Sequence, residues 1–62
     1  MQDLKLTTTE GIEMNLNPFC IGVWYAGQGQ STTMIEVNGV TRAFRVNIKE
    51  ADKAIRGALA PE

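Results

Sequence analysis

The sequence contains no histidine and a single cysteine, Cys20. One cysteine cannot form an internal disulfide, and together with scattered carboxylates it does not make a zinc-ligand set. Since no histidine is present to activate it as a nucleophile, Cys20 is better explained as a small buried side chain than as a catalytic thiol. The carboxylates show no paired acid–base arrangement. We therefore expect a protein with no catalytic residues, no metal and no cofactor.

An excess of charge and long apolar runs are also missing. Six Lys and Arg against seven Asp and Glu give a net charge of −1, so the chain has no general attraction to nucleic acid or to acidic membranes. The longest nearly apolar stretch falls far short of the ~20 residues of a membrane helix, and the N-terminal residues lack a signal-peptide pattern. We expect a cytoplasmic protein without a membrane partner, in agreement with a lone cysteine in a reducing compartment.

The length of 62 residues allows one domain, spanning residues 1–62. A domain of this size buries only ~60% of the surface that its unfolded chain exposes. Small domains usually add disulfides, a metal or a partner chain. Because the first two are missing, elimination predicts a homo-oligomer.

Alternating apolar and polar residues predict a series of antiparallel strands. The strands are expected at residues 3–8, 12–17, 19–26, 32–37 and 41–46. Asn38-Gly39 favours a type I′ hairpin turn between the last two. Apolar residues then recur at helical spacing over residues 48–59, with Asn47 as the N-cap and Glu50 three residues later. The predicted fold is α+β: a small antiparallel β-meander of about five strands, twisted or partly closed into a barrel, with one C-terminal helix.

The predicted third strand, FCIGVWYA (19–26), is apolar on both faces. We expect Ile21, Val23 and Tyr25 to lie under the helix and Trp24 to point outward. A second copy of the chain is the favoured cover for the outward face, with the loop at residues 27–31 or a ligand as alternatives. The interface residues predicted on this basis are Phe19, Trp24 and Met34.

This layout resembles the FlbD-type family of small flagellar and motility proteins. The matching segments are LKLTTTEG (4–11), IEMNLNP (12–18), STTMIEVNG (31–39) and FRVNIKEADKAI (44–55). The resemblance implies a bacterial or phage-encoded protein and supplies no catalytic residues. The third strand differs, because the family usually carries acidic residues where this chain has CIGVWYAG.

Two functions follow as hypotheses. The first is a non-catalytic, self-assembling binding module, an adaptor or inhibitor that acts through protein–protein contacts. The alternative is a binder of an anionic small ligand or nucleic acid, in which Trp24 and Tyr25 stack on the ligand and arginines bind phosphate. The candidate ligand-binding residues are Tyr25, Gln28, Gln30, Arg42 and Arg45. For the two arginines, an ordinary ion pair with Glu36 is the competing interpretation.

Overall fold

The chain forms two short antiparallel sheets followed by a helix in the computed structural model, which describes residues 3–29 and 31–60. Within these residues the strands are β1 (Leu4–Thr7), β2 (Glu13–Leu16), β3 (Ile21–Ala26), β4 (Thr33–Val37) and β5 (Val40–Phe44). The helix, α1, covers Ile48–Leu59. The predicted α+β class and its C-terminal helix are confirmed.

The strands do not form the partly closed barrel that the sequence suggested. β1 pairs with β2, and β3, β4 and β5 form a separate sheet in that order. Within the described residues, backbone pairing joins the two sheets where β1 ends, through a bridge between Thr8 and Phe44. On either side of this bridge, the Thr9 N–H donates to the Ala43 carbonyl at 3.1 Å and the Arg45 N–H donates to the Thr7 carbonyl at 2.7 Å. Because the contact does not extend along the strands, the sheets stay open.

The third strand begins two residues later than predicted because Pro18–Cys20 form a short 3₁₀ turn. The Asn17 side chain caps this turn by accepting from the Phe19 N–H at 3.0 Å. Proline suits the first position of such a turn, since it has no N–H to satisfy there. Phe19 and Cys20 therefore precede the sheet and do not belong to it.

The turn between β4 and β5 has the predicted geometry. Asn38 and Gly39 both have positive φ, 53° and 83°, as a type I′ turn requires. β5 consequently pairs with β4 in a regular register that runs from Val37 opposite Val40 to Thr33 opposite Phe44.

A bulge near the start of β3 overturns the predicted facing of that strand. Ile21 lies opposite Val37 and Val23 opposite Glu36, so Gly22 is an extra residue. An extra residue shifts the alternation that follows it, and Trp24 then lies on the same side as Ile21. Both pack against the core, whereas Val23 and Tyr25 are 45% and 49% exposed. The expected inward Val23 and Tyr25 and outward Trp24 were wrong.

The helix covers one face of the three-stranded sheet and the adjoining hairpin. Asn47 caps α1 by accepting from the Glu50 N–H at 2.8 Å, as predicted. Ala51 and Ile55 are fully buried on its inner side. The core cluster takes one residue from each of β1, β2, β4, β5 and α1, and consists of Leu4, Leu16, Ile35, Phe44 and Ile55.

Candidate interaction surface

The face of the three-stranded sheet that lies away from α1 is largely apolar. Tyr25 on β3, Met34 on β4 and Ala43 on β5 lie in one cross-strand row. Residues directly opposite one another in antiparallel strands share a face, so these side chains form a continuous patch. Val23 extends the patch by one row, next to Glu36. We call Val23, Tyr25, Met34 and Ala43 the outer face.

Two members of the outer face are half exposed in a single chain. The exposed fractions are 45% for Val23 and 49% for Tyr25, while Met34 and Ala43 are intermediate. The row of Tyr25, Met34 and Ala43 lines a shallow depression of about 640 Å³ that continues to Gln28 in the following loop. An apolar surface of this kind on a small protein marks a contact site or an aggregation hazard.

On the opposite side, Trp24 is tied to the helix. Its indole Nε1–H donates to Asp52 Oδ1 at 3.1 Å. The same carboxylate accepts from Arg56 Nε at 2.9 Å, one helical turn further along α1. These bonds, first from Arg56 and then from Trp24, lower the pKa of Asp52 below its ordinary value, against a smaller opposing effect of desolvation. Trp24 therefore fastens β3 to α1.

A groove of about 560 Å³ runs between β3 and α1 beside this linkage. Gly22 to Tyr25 line one wall, and Ile48, Lys49, Asp52 and Arg56 line the other. The groove joins the outer edge of the sheet to the charged flank of the helix. Only one of its aromatic residues, Trp24, lies on the helix side of the sheet.

The predicted interface residues are separated in the structure. Met34 lies on the outer face, Trp24 lies under the helix, and Phe19 is 66% exposed on the 3₁₀ turn before β3. The interface roles of these residues stay predictions. Sequence reasoning missed Ile12 and Val40, which are 56% and 51% exposed at the ends of hairpins. Their proximity to Gly11 and Gly39 is the signal that could have placed them at turns.

The predicted ligand-binding residues do not gather into one site. Tyr25 and Arg42 lie on β3 and β5, with β4 between them, and Gln28 is exposed in the loop after β3. Arg45 donates from Nη2 to the Thr9 carbonyl at 3.2 Å. Gln30 lies outside the described residues. Trp24 and Tyr25 point to opposite faces, so they cannot stack on one ligand together.

The predicted ion pair of Arg42 or Arg45 with Glu36 is not formed within residues 3–29 and 31–60. The ion pairs found there are the short contact between Arg56 and Asp52 and a Lys5–Glu13 pair at 3.7 Å. The latter joins neighbouring strands of the first sheet and is well exposed. Exposed pairs of this kind contribute little stability.

Cys20 is half-buried at the end of the 3₁₀ turn. In the described part of the chain, no group of three or more Cys, Asp or Glu side chains is placed to hold a metal ion. None of the described helical segments is long and apolar enough to cross a membrane.

The chain matches no protein-family model, no curated protein and no solved structure. The functional argument therefore depends on the exposed surfaces of the molecule itself.

Proposed function

We propose that this chain is a small non-catalytic binding module that assembles with copies of itself and acts through protein–protein contacts, as an adaptor or an inhibitor. The observation that carries the proposal is the outer face, where Val23 and Tyr25 stay 45% and 49% exposed on a folded chain. Covering such a face with an identical one removes apolar surface from water at roughly 25 cal/mol per Å².

The arrangement of the described residues favours a partner. Within residues 3–29 and 31–60, one helix of 12 residues covers the other face of the three-stranded sheet. Val23 and Tyr25 on the outer face stay exposed there, and a second copy would cover them. Closed symmetric pairs are the commonest arrangement for such self-association.

The proposal also covers the origin of the protein and its cellular compartment. The resemblance to FlbD-type proteins supports a bacterial or phage-encoded module, and the single cysteine supports a reducing cytoplasm. The resemblance to that family rests on the order of the predicted strands, turns and capped helix in the sequence.

The test is the mass of the chain in solution, measured by light scattering on wild type and on Tyr25→Glu. We expect wild type at a multiple of 6.8 kDa and the variant at a lower mass, because the substitution places a charge on the outer face. Val40→Glu is the matched control, since Val40 is similarly exposed, at 51%, but lies outside the outer face. A wild-type chain that is monomeric at all accessible concentrations would refute the proposal.

A further inference from the structure

β3 is the one strand in the described part of the chain that carries no charge and no proline of its own along its open edge. Its sequence, IGVWYA, has six residues with no charge and no proline. Natural proteins usually protect such edges with charges, prolines, short strands or a covering segment. The bulge at Gly22 lies at one end and leaves Val23–Ala26 regular.

The open edges of the other strands are protected in one of these ways. The outer side of β5 is covered only near Phe44 by the end of β1, through the bridge from Thr8, and the rest of the strand carries Arg42. β1 and β2 have four residues each and carry Lys5 and Glu13. The unprotected edge is therefore specific to β3.

Backbone groups of β3 are directed to this edge at alternate residues. The Gly27 N–H donates to the Thr32 carbonyl at 2.9 Å, one residue beyond the pair of Ala26 and Thr33. Because hydrogen-bonded and non-hydrogen-bonded pairs alternate, Tyr25 and Val23 bond to β4. Trp24 and Ala26 consequently direct their N–H and C=O groups away from the sheet.

We propose that β3 pairs antiparallel with β3 of a second copy, about a two-fold axis at Tyr25. Trp24 then exchanges both backbone hydrogen bonds with Ala26 of the second copy, and symmetry repeats the exchange. The two three-stranded sheets become one continuous sheet. The inference rests on the proposed self-association and adds a second contact to it, because edge pairing places the two outer faces side by side and leaves them to be covered by a face-to-face contact.

Charge complementarity on the helix side selects this axis. We infer that α1 runs opposite to β3, because Ile48 and Lys49 line one depression together with Ala26 while Asp52 bonds to Trp24. The midpoint between Lys49 and Asp52 therefore lies beside Tyr25. A two-fold axis there places Lys49 opposite Asp52 of the second copy, and the reverse. An axis at Trp24 would instead place the two Asp52 side chains opposite each other and Lys49 opposite Arg56.

The experiment is disulfide trapping in a Cys20→Ser background, which removes the native thiol. Tyr25→Cys is compared with Val23→Cys, both on the outer face and similarly exposed. In the proposed register the two copies of residue 25 form a non-hydrogen-bonded pair with Cα atoms about 4.5 Å apart, within disulfide range. The two copies of residue 23 lie about 13 Å apart along the strands, beyond that range.

With copper–phenanthroline as oxidant, we expect a covalent dimer from Tyr25→Cys and none from Val23→Cys. If wild type is an oligomer by mass but both variants cross-link equally, or neither does, the edge pairing is wrong and the self-association stands. If wild type is a monomer, both proposals fail.

A second measurement tests the charge pairing. Lys49→Glu should weaken the dimer several-fold by placing like charges opposite each other. Lys53→Glu makes the same change on the flank of α1 that faces the hairpin, beside Leu4, and should leave the dissociation constant unchanged. Equal effects of the two substitutions would contradict the chosen axis.

Discussion

On the helix side of the three-stranded sheet, Ile35 and Phe44 are fully buried, whereas on the other side Val23 and Tyr25 remain about half exposed. Both sides carry large apolar side chains, and the outer side also carries Glu36 and Thr41. The difference lies in what is available to cover them, since one helix and one hairpin are enough for a single face. In a chain this short, burial reports the number of covering elements as much as the hydrophobicity of the residues.

The largest expected effect comes from breaking the covered side. Phe44→Ala should cost about 3–5 kcal/mol, from lost burial and the cavity that remains. That is close to the whole ~3–5 kcal/mol that a core of this size supplies, so we expect an unfolded chain by circular dichroism. Phe19→Ala is the matched control, because Phe19 is 66% exposed and Phe44 is not exposed at all. Equal losses in the two variants would contradict the assigned burial.

The helix cap is expected to matter less. Asn47→Ala removes the acceptor for the Glu50 N–H and should lower the free energy of unfolding by about 0.5–2 kcal/mol. Urea denaturation measures this loss. Asn47→Asp keeps an acceptor oxygen and should stay near wild type. A wild-type stability for Asn47→Ala would show that the cap does not hold the helix on the sheet.

The linkage between Trp24 and Asp52 should appear as a dependence of stability on pH. The folded pKa of Asp52 lies below its unfolded value near 3.8, so the unfolded chain binds a proton more readily. The stabilisation is then complete above pH 3.8 and is lost as the pH falls through the lower folded pKa. Wild type should have a higher free energy of unfolding than Asp52→Asn above pH 3.8, and this difference should disappear as the pH falls. A difference in the free energy of unfolding that is the same at every pH would show that the ionised carboxylate does not cause it.

The smallest effect on monomer stability is expected on the outer face. Val23→Thr should change the free energy of unfolding by less than about 0.5 kcal/mol when measured on dilute, monomeric protein. Val37→Thr is its counterpart on the helix side and should cost more, because it brings a hydroxyl against the core. A large loss for Val23→Thr would mean that the single chain already covers its outer face.

The sequence was most informative where the structure depends on neighbouring residues. The helix predicted over residues 48–59 matches Ile48–Leu59, and Asn47 caps it as expected. The type I′ turn at Asn38 and Gly39 was likewise readable, because few residues accept positive φ. These features depend on a side chain and the backbone within a few positions of it.

The candidate interaction surface could be predicted only in part from the sequence. An apolar third strand with two faces to cover is evident from FCIGVWYA, and Met34, one of the predicted interface residues, lies on the outer face. The assignment of Trp24 failed because strict alternation assumes that no residue is inserted. Gly22 permits the bulge, but pairing with β4 decides where it falls.

By itself, the sequence determined the α+β class, the capped helix and the tight turn. Only the tertiary structure decided that the strands divide into two open sheets and that Trp24 lies against Asp52. It also decided that Val23 and Tyr25 lie on the exposed outer face. The physical reason is that turns and caps are settled by local backbone geometry and hydrogen bonds. Register and facing depend instead on contacts between residues far apart in the chain.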